Sequence, residues 1–283
     1  MVIIINTIKP FFQANDRILK PLTPINGQVA IRTAMKDSVL YLGDTSLSGA
    51  AGYLAGLMTH WKMKFDYVPG DVRVSQNSVK TMRSLFIISD YPSRMMKPGV
   101  QKMILEQVQA GAGLLMVGGW ESYHGLGGDW DKTEIAAALP VEISRTDDRH
   151  NCDQPALAIK VADHPIVGKL PWAKRPPTIG GLNVFKPRKN SQVLLKLQSF
   201  RAAQAGGKIK FSPAKAYPLL AIGEFGKGRT AALATDLAPH WVGGFIDWGK
   251  KRVKAQARGG CEIEVGCDYA AFIKNLLSWT AKI

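Results

Sequence analysis

The sequence is poor in cysteine, in long apolar runs and, over one third of its length, in acidic residues. Its three cysteines, Cys152, Cys261 and Cys267, are an odd and low number for 283 residues, which argues against a disulfide framework. Cys261 and Cys267 have no histidine near them in the sequence, so a zinc site is not expected there. We therefore expect three reduced thiols in a cytoplasmic protein.

No apolar run reaches the roughly 18 residues that a membrane-spanning helix needs. The run Val2-Ile3-Ile4-Ile5 is short, is followed closely by Asn6 and Lys9, and lacks the basic start of a signal peptide. The pattern predicts a first β-strand here, and a membrane partner is not expected.

Acidic residues are scarce in residues 169–260, which hold 18 Lys and Arg against three Asp and Glu. This segment carries the excess that gives the chain its net charge of +15, because residues 1–168 are almost balanced. Its cations form two clusters, Lys208, Lys210 and Lys215 in one, and Lys250, Lys251, Arg252, Lys254 and Arg258 in the other. Such a surface can attract nucleic acid or other anions. Because few aromatic side chains lie between the charges to stack on bases, we favour exposed, mobile loops over a nucleic-acid site.

From residue 38 onward, buried-strand patterns alternate with helical patterns. Strands are predicted over 38–44, 63–68, 84–90 and 113–118, and helices over 48–61, 98–111 and 268–280. This alternation predicts an α/β domain with a mainly parallel, doubly wound sheet over residues 37–283. Residues 1–36 are predicted to be an N-terminal extension with two short strands, near 2–6 and 28–33.

The second half of the domain is richer in strands. Candidates are 157–161, 192–197, 218–223 and 229–235, with Gly226-Lys227-Gly228 as a hairpin turn between the last two. The turn His164-Pro165-Ile166 lacks converging ligands, so no metal is expected. Thr45-Ser46-Leu47-Ser48-Gly49 lacks the Gly-Lys-Ser/Thr ending of a phosphate-binding loop, and no cofactor is expected.

The most informative segment is the apolar run 114–117, which ends in Gly118-Gly119 and continues as Trp120-Glu121-Ser122-Tyr123-His124. A buried parallel strand of this kind delivers reactive groups to the carboxyl edge of a sheet. In hydrolases and amidotransferases, the apex of such a turn carries the nucleophile. This apex offers Trp, Glu and Ser, but no Cys.

Other polar residues follow predicted strands and should reach the same edge, namely Asp44, Asp90 with Tyr91, and Asp236 with His240 and Trp241. One hypothesis is a serine hydrolase in which His240 activates Ser122, Glu121 or Asp236 orients His240, and backbone N–H groups near Gly119 and Tyr91 bind an oxyanion.

A second hypothesis is a pocket for a sugar or another polar ring, formed by carboxylates and aromatic rings. The rings in question are those of Trp120, Tyr123, His124, Trp130 and Trp241. A structural interpretation also stands, in which Ser122 and Glu121 fix the turn and the rings pack the sheet edge or a subunit interface.

The order of these segments resembles the class I glutamine amidotransferase-like superfamily, in particular its branch of uncharacterised cytoplasmic proteins. The matching segments are 39–44, 118–122, 164–166, and 226–229 through His240-Trp241. The resemblance implies a flavodoxin-like sheet and, in active members, an elbow cysteine activated by a late His that Glu closely follows. Here no Cys is near the elbow, and Trp241-Val242 follows His240. We therefore expect an unknown small polar ligand and no glutaminase activity, with a Ser122 hydrolase or a nucleic-acid-binding protein as alternatives and self-association left open.

Overall fold

The computed structural model describes residues 38–283, so the predicted extension over 1–36 and its two strands lie outside the described residues. The strands are β1 (Val39–Gly43), β2 (Phe65–Val68), β3 (Leu85–Ser89), β4 (Gly113–Val117), β5 (Val141–Glu142), β6 (Arg149–Asn151), β7 (Ala156–Lys160), β8 (Gly181–Asn183), β9 (Lys186–Pro187), β10 (Gln192–Ala205), β11 (Lys208–Phe225), β12 (Gly228–Leu233), β13 (Arg252–Gln256) and β14 (Glu262–Gly266). The α-helices are α1 (Ala51–His60), α2 (Gln76–Lys80), α3 (Pro98–Ala110), α4 (Glu134–Ala138) and α5 (Cys267–Ala281).

Eight strands form one sheet in the order β2-β1-β3-β4-β12-β11-β10-β7. The first five are parallel to one another, and β11, β10 and β7 continue the sheet with antiparallel pairing. The predicted α/β class with a mainly parallel, flavodoxin-like sheet is confirmed. The strand order reverses beside β1 and β3, which is the switch point where sheets of this kind bind ligands.

The central strands are apolar because both faces of the sheet are covered there. Every residue of β1, β3 and β4 is buried, as is typical of parallel strands. Pro98 lies in the first turn of α3, where its missing N–H has no partner to lose. The predicted closing helix is confirmed as α5, which packs against β3, β4 and β12.

The hairpin turn predicted at Gly226–Gly228 is confirmed, but the strands before it are much longer than predicted. β10 and β11 pair from residue 192 to residue 222 with three irregularities in the register, so residues 198–217 are strand with one tight turn at Gly206-Gly207. The loop interpretation of Lys208, Lys210 and Lys215 is therefore wrong. Local periodicity missed these strands because exposed Lys, Ser and Ala residues interrupt their apolar pattern.

The second basic cluster is also more ordered than predicted. Residues 252–256 form β13, which pairs with β14, so the exposed-loop interpretation is wrong for Arg252 and Lys254. Arg252 contacts both Asp247 and Glu264 at 2.8 Å, and Lys254 contacts Glu264 at 3.2 Å. Part of the local positive charge is thus paired. Within residues 38–283, no helix has both the length and the apolar character that crossing a membrane requires.

Candidate functional site

The carboxyl ends of β1, β3, β4 and β12 meet at one edge of the sheet, as predicted. The Gly118 N–H donates a hydrogen bond to the Thr235 carbonyl at 3.2 Å, and the Asp44 N–H donates to the Ser89 carbonyl at 3.0 Å. The ring centres of Trp120 and His240 are 6.4 Å apart. The predicted site residues that follow four different strands therefore lie on the same side of the molecule.

Asp44 is a buried carboxyl group at the end of β1. Its backbone lies in the left-handed region, with φ of 43°, and the Tyr41 hydroxyl donates to its Oδ2 at 2.6 Å. Burial raises the pKa of Asp44 to about 7, although the hydrogen bond from Tyr41 opposes the shift. Asp44 thus exchanges its proton near neutral pH.

Asp90 occupies the same position at the end of β3, with φ of 46°. Its Oδ1 accepts a hydrogen bond from the Glu121 N–H at 2.7 Å, which joins the strand end to the elbow. Burial raises the pKa of Asp90 to about 6, while the backbone hydrogen bond from Glu121 and the nearby His240 lower it. A Cβ on Gly119 would lie 2.2 Å from this Oδ1, so only glycine permits the approach.

Asp236 completes a group of three carboxyls. Burial raises its pKa, and the negative charges of Asp44 and Asp90 raise it further. The Ala238 N–H donates to its Oδ1 at 3.2 Å and partly offsets this. Because the three groups repel one another when ionised, the cluster retains protons near neutral pH.

The elbow is held by two residues that the sequence analysis missed, Asn183 and Asp148. Asn183 accepts a hydrogen bond from the Gly119 N–H at 2.9 Å and donates to the Asp148 carboxylate at 2.8 Å. Asp148 also accepts from the N–H groups of His124 and Gly125, at 3.1 and 3.0 Å. The glycine pair 180–181 before Asn183 was the available signal, since it indicates a close backbone approach.

Ser122 is fully buried, and the Asp90 N–H donates to its Oγ at 2.9 Å. Among the described residues, no side chain hydrogen-bonds to the His240 ring. Glu121 does not face His240 either, because it pairs with Arg94 at 2.9 Å. The Gly119 N–H, a predicted oxyanion donor, already donates to Asn183. Ser122, Glu121 and the Gly119 N–H thus have partners other than those that the hydrolase hypothesis requires.

Among the aromatic residues predicted for the site, Trp120 is the one exposed to solvent. It is 45% exposed, and the Arg149 guanidinium lies 4.5 Å from its ring centre. The rings of Tyr91, Tyr123, Trp130 and Trp241 are buried. The Tyr91 hydroxyl donates to the Val72 and Met95 carbonyls, and the Tyr123 hydroxyl donates to the Met116 and Leu233 carbonyls. The Trp130 indole N–H donates to the Tyr91 carbonyl, and that of Trp241 donates to the Asn151 side chain. These four hold the edge together, and Trp120 is the ring that a ligand could contact.

His124 lies in the loop after the elbow, beside Asp129 and Asp131. One ligand-type atom of each falls within 4.8 Å of the others, so the three could hold a metal ion. His124 Nδ1 lies 2.8 Å from Asp131 Oδ1, and the Asp129 N–H donates to the His124 carbonyl at 3.1 Å. No cysteine lies on the elbow, since Cys152 follows β6, Cys261 contacts the Gly49 carbonyl and Cys267 begins α5.

Comparison with known families agrees with this architecture. Residues 74–254 match the family described as "Putative glutamine amidotransferase" (GATase1_like), which covers well over half of the chain. A class I amidotransferase-like sheet with an elbow after β4 is what the fold defines, and the chain belongs to this family.

Solved structures with the same fold include two cytoplasmic proteins from Salmonella typhimurium. STM3548 is 24% identical, with a TM-score of 0.65 over 86% of this chain and 98% of its own. STM1381 from strain LT2 is 23% identical, with a TM-score of 0.65 over 86% of this chain and 99% of its own. Identities this low support the shared fold alone. No curated protein matches the sequence.

Proposed function

We propose that this protein binds a small polar ligand at the carboxyl edge of its sheet and does not hydrolyse glutamine. One observation carries the proposal. The open side chain at the elbow is the Trp120 indole, while the serine there, Ser122, is buried with its hydroxyl against the Asp90 backbone. A cysteine thioester cannot form at an elbow without cysteine.

The surroundings of Trp120 favour a ligand with both a flat or ring-shaped face and hydroxyl or amide groups. The exposed indole offers a stacking surface, and Asp90 beside it exchanges its proton near pH 6. A carboxyl group of this kind can donate or accept a hydrogen bond according to the ligand it meets. Sugars and small amides combine these features.

The first experiment measures ammonia release from glutamine by the full chain. We expect none above background. Turnover that is abolished when Cys152, Cys261 or Cys267 is replaced by Ser would contradict the proposal, and so would fluorophosphonate labelling that depends on Ser122. The second outcome would instead favour the serine hydrolase.

The second experiment identifies the ligand class by thermal shift against a panel of sugars and amides, because a bound ligand stabilises the folded state. Trp120→Ala and Asp90→Asn should each abolish the shift. Leu126→Ala, at an exposed apolar residue of the same loop, and Asp163→Asn, at an exposed carboxylate on a remote turn, should retain it. Loss of the shift in the two controls would contradict a site at Trp120.

We also propose a cytoplasmic location. Its support is the three free cysteines and the similarity to two Salmonella proteins that are described as cytoplasmic. Cell fractionation with an antibody against the chain tests it, and recovery from an oxidising compartment would contradict it.

A further inference from the structure

The distal parts of β10 and β11 form a two-stranded ribbon, residues 199–217, which we call the arm. Every residue from 201 to 216 is exposed. The exposed fraction of Ile209 is 66% and that of Phe211 is 57%. An isolated two-stranded ribbon is only marginally stable in water, and large exposed apolar side chains mark surfaces that associate.

The pairing register sorts the arm's side chains onto two faces. Phe200 lies opposite Pro213, Ala202 opposite Phe211, and Gln204 opposite Ile209. Because cross-strand partners share a face and side chains alternate along a strand, these six residues form one surface, the apolar face. It carries no charged side chain. Towards the sheet the same side of β10 reaches Lys196, opposite the partly exposed Ile159 of β7, so the uncharged surface is confined to these six residues.

The intervening pairs form the other surface, the basic face. Arg201 lies opposite Ser212, Ala203 opposite Lys210, and Ala205 opposite Lys208. The sequence has no acidic residue from 164 to 223, and within residues 38–283 none of these three cations has a carboxylate partner. The arm is thus a ribbon with its charge on one side and its apolar surface on the other.

We propose that the apolar face is an interface between two copies of this chain, with the two arms packed apolar face to apolar face about a two-fold axis. Identical uncharged faces can meet without bringing like charges together, and the two basic faces then point away from each other. The hydrophobic effect favours burial of the two apolar faces against each other. A nucleic acid would bind the basic face instead, and it would leave Ile209 and Phe211 in water.

Sedimentation velocity of the full chain, from about 1 to 100 μM, tests the proposal. We expect a species of twice the 30.9 kDa chain mass. Ile209→Asp with Phe211→Asp should raise the dissociation constant at least about 100-fold, because the contact would have to bury four unpaired carboxylates. Ala203→Asp with Ser212→Asp adds the same charge to the basic face of the same strands, and it should leave the dimer intact.

Unchanged circular dichroism must accompany each variant. If the Asp pair misfolds, Ile209→Ser with Phe211→Ser provides the milder test and should still weaken the dimer. A monomeric wild type throughout the concentration range would overturn the proposal, and so would a dimer insensitive to both apolar-face variants. Wild-type binding to anionic lipid vesicles that requires Ile209 and Phe211, without dimer formation, would overturn it in favour of a membrane surface.

Discussion

At the elbow, the Ser122 hydroxyl accepts a hydrogen bond from the Asp90 N–H inside the protein. Replacing Ser122 by Ala leaves that N–H without its partner. We expect the free energy of unfolding to fall by about 1–2 kcal/mol, as for other buried groups that lose a hydrogen bond. Urea denaturation measures this, with exposed Ser46→Ala as the control. An unchanged unfolding free energy would mean that the Ser122 hydroxyl is free to serve another purpose.

Asp44 should make stability depend on pH. Its pKa is about 7 in the folded protein against 3.8 for an ordinary aspartate, so the folded state binds its proton more tightly than the unfolded chain does. The resulting stabilisation is complete below about pH 4 and is lost as the pH rises through 7. Asp44→Asn keeps an acceptor for the Tyr41 hydroxyl and removes the titration.

At pH 8 the Asp44→Asn variant should therefore be more stable than the wild type by roughly 2 kcal/mol, and near pH 4 the two should differ little. Urea unfolding at both pH values gives the comparison, with Asp163→Asn as the exposed control. A variant that is equally destabilised at both pH values would contradict the assignment of a raised pKa.

At the scale of the element, Asn183 connects the turn after β4 to Asp148 through hydrogen bonds. Asn183→Ala removes the acceptor of the Gly119 N–H and a donor to Asp148 together. We expect a loss of about 2–3 kcal/mol in unfolding free energy and a weaker thermal shift with any ligand that needs Trp120. Exposed Asn190→Ala is the matched control and should change neither. Full retention of ligand binding in Asn183→Ala would separate the ligand site from the elbow.

At the scale of the whole molecule, the net charge of +15 is expected to give weak, non-specific attraction to nucleic acid. Fluorescence anisotropy with DNA and RNA oligomers should show binding only at low salt, because displaced counterions drive such association. Reversing the charges of Lys208 and Lys210 should weaken this binding more than reversing the charge of Lys254, because Lys254 already pairs with Glu264. Tight, salt-sensitive binding at physiological ionic strength would contradict this expectation.

The sequence by itself determined the class of the fold and the sheet edge at which the candidate site residues gather. Apolar runs, a helix-starting proline and the glycines after Val117 are local signals, and the strands and helices they predict over residues 38–118 and 268–280 are present within a few residues of their predicted ends. The absence of cysteine from the elbow is likewise read directly from the chain. For these features, neighbouring residues carry the information.

The tertiary structure alone decided which polar groups of the site are exposed or lack a hydrogen-bond partner within the protein. Ser122 meets Asp90 across 32 positions, and Asn183 meets Gly119 across 64, so no local period reveals either contact. Trp120 is exposed whereas Tyr123 and Trp241 are buried, although all three are aromatic and follow predicted strand ends in the sequence. The same holds for the arm, because pairing across the Gly206-Gly207 turn placed Ala202 and Gln204 on the same face as Phe211 and Ile209. Hydrogen-bond partners and solvent exposure depend on distant segments meeting, and the sequence pattern of one segment does not contain them.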